Sequence, residues 1–252
     1  MLGIFDSGVG GLTVVKEIEQ QVPTADLIFF GDTARAPYGT KGVATIRHFA
    51  TEAVELLKKE GATAFVVACH TMSAVALGAI KVAAGSAPVF DVVSATVNAV
   101  KNFHGKSIGV IGTRATIASK VYEAAFAPQT ITTQACPLLV PLIEEGWTDR
   151  PETKRIVRSY LAPLQKHSVD TLILGCTHYP LIQKTISAKM GTRVHVIDPS
   201  NEVGKMVAKA VLLTGTGKRR YLFSDVTSAT QKVAEKWLGH TITIEQRSAE
   251  KP

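Results

Sequence analysis

Cysteine is scarce in this sequence. Three occur in 252 residues and none are spaced as C-x-x-C, so no disulfide framework organises the chain and each thiol needs its own explanation. Long apolar runs are also missing. None approaches the ~20 residues that cross a bilayer. The first apolar stretch is broken by Gly3, Asp6 and the glycines at 8, 10 and 11, which leaves no basic-then-apolar leader. We therefore expect a cytoplasmic protein with no membrane segment. The chain starts almost directly at its first strand, so we also expect no N-terminal regulatory extension. Phosphate-cradling signatures are absent too: neither G-x-G-x-x-G nor G-x-x-x-x-G-K-[ST] occurs. The loop at residues 8–11 reads G-x-G-G, a turn that lets backbone approach a small carboxylate.

What is present reads as a globular chain, 46% hydrophobic and 19% charged, long enough for two compact domains. The net charge is +7, but the basic residues are spread over many helical faces. The one dense cluster is Lys218-Arg219-Arg220, and no basic stripe with interleaved aromatics exists. Nucleic-acid binding is not expected as a main function; a mild attraction for anionic substrates accounts for the charge equally well.

Short β-branched runs alternate with amphipathic stretches. Leu2–Phe5, Leu27–Phe30, Ala64–Ala68, Ile108–Ile111, Thr171–Leu174 and Val194–Ile197 read as buried strands. Thr45–Lys59, Glu152–Gln165 and Glu202–Leu213 have helical spacing. This alternation predicts an α/β fold with parallel sheets covered on both faces by helices. A weak repeat runs through it. A-F-V-V-A-C-H-T-M-S at Ala64–Ser73 parallels T-L-I-L-G-C-T-H-Y-P at Thr171–Pro180, with Cys69 and Cys176 separated by 107 residues. The same offset carries Leu2–Asp6 onto Gly109–Thr113, inside a second strand-then-glycine segment. Two similar halves would each present a cysteine at the carboxyl end of a strand, where open α/β sheets place their chemistry. The repeat predicts that the two thiols face each other across an interdomain cleft.

Two opposed thiols suit one task well. Inverting a carbon that bears a weakly acidic proton needs a base on one face and an acid on the other, with the roles exchanged in reverse. A reference pKa of about 8.5 lets a thiol do either near working pH. An isolated cysteine is more often inert core, and Cys136, followed by Pro137, is read that way. Cys69, His70, Cys176 and His178 also form a formal Cys₂His₂ set, although their spacing is not that of usual zinc ligands. Asp6 and Thr71 could equally be helix caps.

Asp6–Leu12 (D-S-G-V-G-G-L), Pro37-Tyr38-Gly39, A-C-x-T at Ala68–Thr71, C-P-L-x-V-P-L-I-E at Cys136–Glu144 and G-C-T-H-Y-P-L at Gly175–Leu181 resemble the glutamate racemase family. The resemblance spans residues 3 to about 204 in order. It implies two similar, pseudo-two-fold related domains with the active site in the cleft between them. The first would comprise 1–94 plus 205–252, the second 95–204, and the C-terminal segment would return the last helices to the first. It implies glutamate as substrate, no cofactor, no metal, homodimer formation, and supply of D-glutamate for peptidoglycan. By the same resemblance Cys69 takes the α-proton from D-glutamate and Cys176 from L-glutamate. Asp6 lies near the first thiol, while His178 and Glu144 attend the second. Ser7, Pro37, Tyr38, Gly39, His70, Thr71, Thr113, Thr116, Thr177, His178 and Asp6 itself contact substrate, through hydroxyls and backbone amides among others. Helix N-termini and neutral donors can hold carboxylates without lysine or arginine.

One position departs from the pattern. His70 stands where the family usually has asparagine. If charged, it would favour the Cys69 thiolate; we expect activity to be kept, with a changed affinity or pH profile. Other readings remain open at this point: a racemase for aspartate or another acidic amino acid, a weakly active relative with a binding role, or a thiol redox protein.

Overall fold

The computed structural model describes residues 1–101, 107–210 and 215–250. Among these residues ten strands form two all-parallel sheets. The first carries β1 (Leu2–Asp6), β2 (Leu27–Gly31), β3 (Ala64–Val67) and β4 (Val89–Asp91). The second carries β5 (Ile108–Gly112), β6 (Thr132–Ala135), β7 (Thr171–Gly175) and β8 (His195–Ile197). The chain then returns to the first sheet with β9 (Arg219–Phe223) and β10 (Ile244–Gln246). Strand order is β10-β9-β2-β1-β3-β4 in one sheet and β6-β5-β7-β8 in the other. The order β2-β1-β3-β4 therefore recurs as β6-β5-β7-β8, and the internal repeat seen in sequence extends to four strands per half.

All six strands expected from sequence are present. β1, β2, β3, β5 and β7 are buried along their whole length, the consequence of helices packing on both faces. Of the expected helices, Val43–Lys59 buries Ile46, Ala50, Ala53, Val54 and Leu57 along one stripe. Pro151–Lys166 starts with proline in its first turn, where the missing N–H is harmless, and buries Val157, Leu161 and Leu164. Pro199–Ala210 covers the third; residues 211–213 of that expected segment lie outside the described residues.

β4, β6, β9 and β10 are additions to the sequence reading. β4 and β10 have only three residues each, β6 is polar (T-T-Q-A), and β9 begins with two arginines. None presents an apolar run. β9 is nevertheless the neighbour of β2, with Leu222 opposite Phe30, so the C-terminal segment contributes two strands as well as the helix Ser228–Leu238. The arginines are spent on ion pairs: Arg220 binds Glu60 and Glu245, each at 2.8 Å, and Arg219 binds Glu19 at 3.2 Å. No helix among the described residues is long and apolar enough to cross a membrane.

Parallel strands collect their carboxyl ends along one edge of each sheet. Asp6 ends β1, Cys69 follows β3, Thr113 follows β5, Cys136 follows β6 and Cys176 follows β7. Leu222 tests how firmly the returning segment is built in. It is fully buried, so Leu222→Ala is expected to cost about 2–5 kcal/mol in urea unfolding. A loss under 1 kcal/mol would show that β9 packs only loosely between β10 and β2.

Candidate active site

The carboxyl ends of the two sheets border a single cleft with a cavity of about 170 Å³. Cys69 and Cys176 both line it, and both are buried. Around them stand Asp6, Ser7, Pro37, Tyr38, Gly39, His70, Thr71, Thr113, Glu144, Thr177 and His178. Of the residues expected from sequence, Thr116 alone is not on the cleft wall. It stands behind Thr113, its hydroxyl 2.9 Å from that of Thr113 and its backbone N–H donating to Thr113 Oγ1 at 3.2 Å. Thr113 caps the helix Arg114–Ala118 and also reaches Thr71 Oγ1 at 3.0 Å, so these hydroxyls form a bridge between the halves.

Asp6 is buried and takes its hydrogen bonds from both halves. Its Oδ1 accepts from the Ser7 N–H at 2.5 Å and the Ser7 hydroxyl at 3.1 Å; its Oδ2 accepts from the Thr177 hydroxyl at 3.0 Å. Burial pushes its pKa up, and the His178 charge with the Thr177 and Ser7 bonds only partly restrains that rise. It is not a helix cap. Neither is Thr71, since Cys69 occupies the cap position before His70–Val75.

The two thiols have different surroundings. Cys69 donates to Ser7 Oγ at 3.6 Å, giving a chain from thiol to hydroxyl to the Asp6 carboxylate. Burial first, and the Asp6 charge second, push its pKa up to about 12, so this thiol holds its proton. Cys176 Sγ lies 3.8 Å from His178 Nδ1, and His178 Nε2 lies 2.9 Å from Glu144 Oε1. Burial alone would push His178 down, but its bonds to Cys176 and Glu144 and their charges outweigh that and lift it to about 10. It is an imidazolium at neutral pH.

Gly10 brings these parts together. A Cβ there would lie 2.4 Å from Thr177 Oγ1 and 2.5 Å from His178 Cε1. The glycine loop thus serves a close approach to the other half of the protein. Gly39 does the same opposite Thr113, where a Cβ would sit 2.9 Å from Thr113 Cβ.

Tyr38 differs from expectation in one respect. Its hydroxyl is donated to Asp32, which also accepts from Arg35 Nε at 2.6 Å, so the tyrosine offers the cleft its ring and backbone. Arg35 continues to Glu52 at 2.6 Å and stacks 3.9 Å above the Phe49 ring. The sequence reading missed this support, for its charges look like ordinary helix and loop residues. It did not assign Arg114 to the wall, nor Pro137, Val140 and Pro141 of the Cys136–Glu144 motif. Cys136, read as core, is fully buried but also touches the cleft, with Sγ 3.6 Å from Gln134 O.

His70 is 2% exposed, and neither ring nitrogen has a hydrogen-bond partner among the described residues. Burial pushes its pKa down to about 3, so it is neutral and leaves the Cys69 thiolate unsupported. Among the described residues no three His, Cys, Asp or Glu side chains converge as a metal site.

The sequence matches the family model described as Asp/Glu/Hydantoin racemase over residues 2–206. It is 42% identical to a protein named glutamate racemase from Chlorobaculum tepidum, covering 93% of this chain and 89% of the relative. The fold is similar to the crystal structure of a glutamate racemase from Francisella tularensis in complex with D-glutamate. That similarity has a TM-score of 0.92 at 35% identity, covering 99% and 97% of the two chains. A glutamate racemase isoform from Bacillus anthracis gives a TM-score of 0.91 at 36% identity, covering 98% and 97%.

Two outcomes test the geometry. A side chain at position 10 has no room, so Gly10→Ala is expected to lower activity by roughly 100-fold, the scale on which misplaced reacting groups act. Retention of full activity would mean that Thr177 and His178 are free to shift. His178 is raised in the fold from 6.5 to about 10. Its contribution to stability is therefore whole below about pH 6.5 and is lost as pH rises through about 10. His178→Asn should flatten the decline of denaturant stability across that window.

Proposed function

The chain belongs to the aspartate/glutamate racemase family, and from that membership and the paired thiols we propose that it interconverts L- and D-glutamate without a cofactor. The observation that carries this reading is that two buried thiols share one small cleft yet have opposite protonation partners.

In the L-to-D direction Cys176 takes the α-proton. The electron pair left by the broken C–H bond is delocalised onto the α-carboxylate, and Cys69 donates its proton to the other face. The roles reverse from D to L. His178, held by Glu144, is the hydrogen-bond partner of Cys176, while burial and then the Asp6 charge keep Cys69 protonated. Burial of Cys69 with its proton on supports a resting enzyme poised for L-glutamate. Thr71, Thr113, Thr177, Ser7 and the backbone of Pro37–Gly39 supply neutral donors and contacts for the carboxylates, with Thr116 behind them as support. Unpartnered ring nitrogens make His70 a substrate contact.

The D-glutamate so formed would enter peptidoglycan synthesis, a role that places the enzyme in the cytoplasm. The same family membership supports a homodimer, which sedimentation would check.

Incubation in D₂O with either enantiomer should place deuterium at the α-carbon of glutamate but little in aspartate. Cys69→Ser and Cys176→Ser should each lower racemisation by at least about 100-fold and fail differently in the two directions. Absence of α-deuterium, or a serine variant with near-normal turnover, would overturn the proposal. Because His70 is neutral throughout the working range, His70→Asn should change KM and leave the pH profile above about pH 5 unaltered. A displaced acidic limb would show that the imidazole titrates in the cleft.

A further inference from the structure

Resting on the reading of glutamate as substrate, we propose that Arg114 steers the dicarboxylate into the cleft as the one cation among the described residues of its wall that no carboxylate engages. Glutamate arrives with two carboxylates and one ammonium, a net charge of −1. Thiols aside, the acidic groups facing it are Asp6 and Glu144, and the only charged partner among the wall's histidines is His178. His178 is already engaged by Glu144 at 2.9 Å. Of those three groups only His178 is a cation, and a carboxylate already holds it.

Arg114 is the only lysine or arginine among the described residues that line the cleft. It is exposed, and it makes no ion pair or side-chain hydrogen bond among the described residues. Arg35, whose neighbours Ala36 and Pro37 line the cleft, is consumed by Asp32 and Glu52. The position of Arg114 gives it no structural reason to be basic. Arg114 opens the helix Arg114–Ala118, at the end where a cation meets the positive side of the backbone dipoles. A free cation on that turn, beside the Thr113 that bridges the two halves, is placed to meet a substrate before the cleft encloses it.

A single exposed charge acts through a screened field. Its effect belongs to capture, and it weakens with salt. The test is the initial rate with L-glutamate for the wild type, Arg114→Gln and Arg114→Lys, from roughly 10 to 300 mM ionic strength. Arg114→Gln should lower kcat/KM roughly three- to tenfold at low salt, leave kcat unchanged and flatten the salt dependence. Arg114→Lys should keep most of the wild-type value and slope. Since the side chain is exposed and unpaired, the thermal midpoint of both variants should match the wild type. A glutamine variant with wild-type kcat/KM and salt slope overturns the proposal, as does a lysine variant as poor as glutamine. Either result leaves the racemase reading standing. A wild type that fails to racemise glutamate overturns that reading and removes the premise of steering.

Discussion

Asp6 holds the two halves of the protein in one register. Its carboxylate is buried at the end of the central strand of the first sheet, where only well-made hydrogen bonds offset the cost of leaving water. One oxygen is satisfied from its own half by Ser7 and the other from the second half by Thr177. Thr13 adds a parallel tie, its hydroxyl donating to Gly10 O at 2.9 Å and to Thr177 O at 3.0 Å. The stretch Cys176-Thr177-His178 is thereby fixed against the turn that carries Ser7, and through Ser7 against Cys69. A shift of either sheet would strand a buried carboxylate, so the geometry between the two thiols is held by a polar group that tolerates little slack.

The two sides of the cleft are alike in backbone and unlike in charge. Each thiol follows the third strand of its sheet, but one is paired through a hydroxyl with a carboxylate and the other directly with an imidazolium. The internal repeat supplies the symmetry that the proposed two-faced proton transfer requires. The neighbours diverge, Ser7 and Asp6 on one side and His178 and Glu144 on the other, so the two thiols have different hydrogen-bond partners.

Much of this was legible in the chain itself. Fully apolar runs such as L-I-F-F and T-L-I-L announce buried parallel strands, and the matched A-C-H-T and G-C-T-H segments announced a pair of strand-end thiols. β9 was not legible, because R-R-Y-L-F hides two arginines whose charges are neutralised by glutamates far away in sequence. The bond between the Tyr38 hydroxyl and Asp32 was equally invisible, as was the retreat of Thr116 behind Thr113. In each case the side chain's direction is decided by a tertiary partner rather than by local pattern. The glycine loop is instructive in the same way: its composition showed that backbone would approach something, and only the fold shows that at Gly10 the something is Thr177 and His178.

The return of β9 and β10 to the first sheet has a consequence for how the molecule is made. β5 to β8 occupy one continuous stretch, so the second sheet can close as soon as its own residues leave the ribosome. The first sheet cannot. β2 waits with an unpaired edge until residues 219–223 arrive, after every strand of the second sheet has been made. A prematurely terminated product would therefore contain both thiols and every polar residue of the cleft, yet display an open, apolar L-I-F-F edge to its neighbours. Arrival of β9, rather than presence of the two thiols, is what covers that edge.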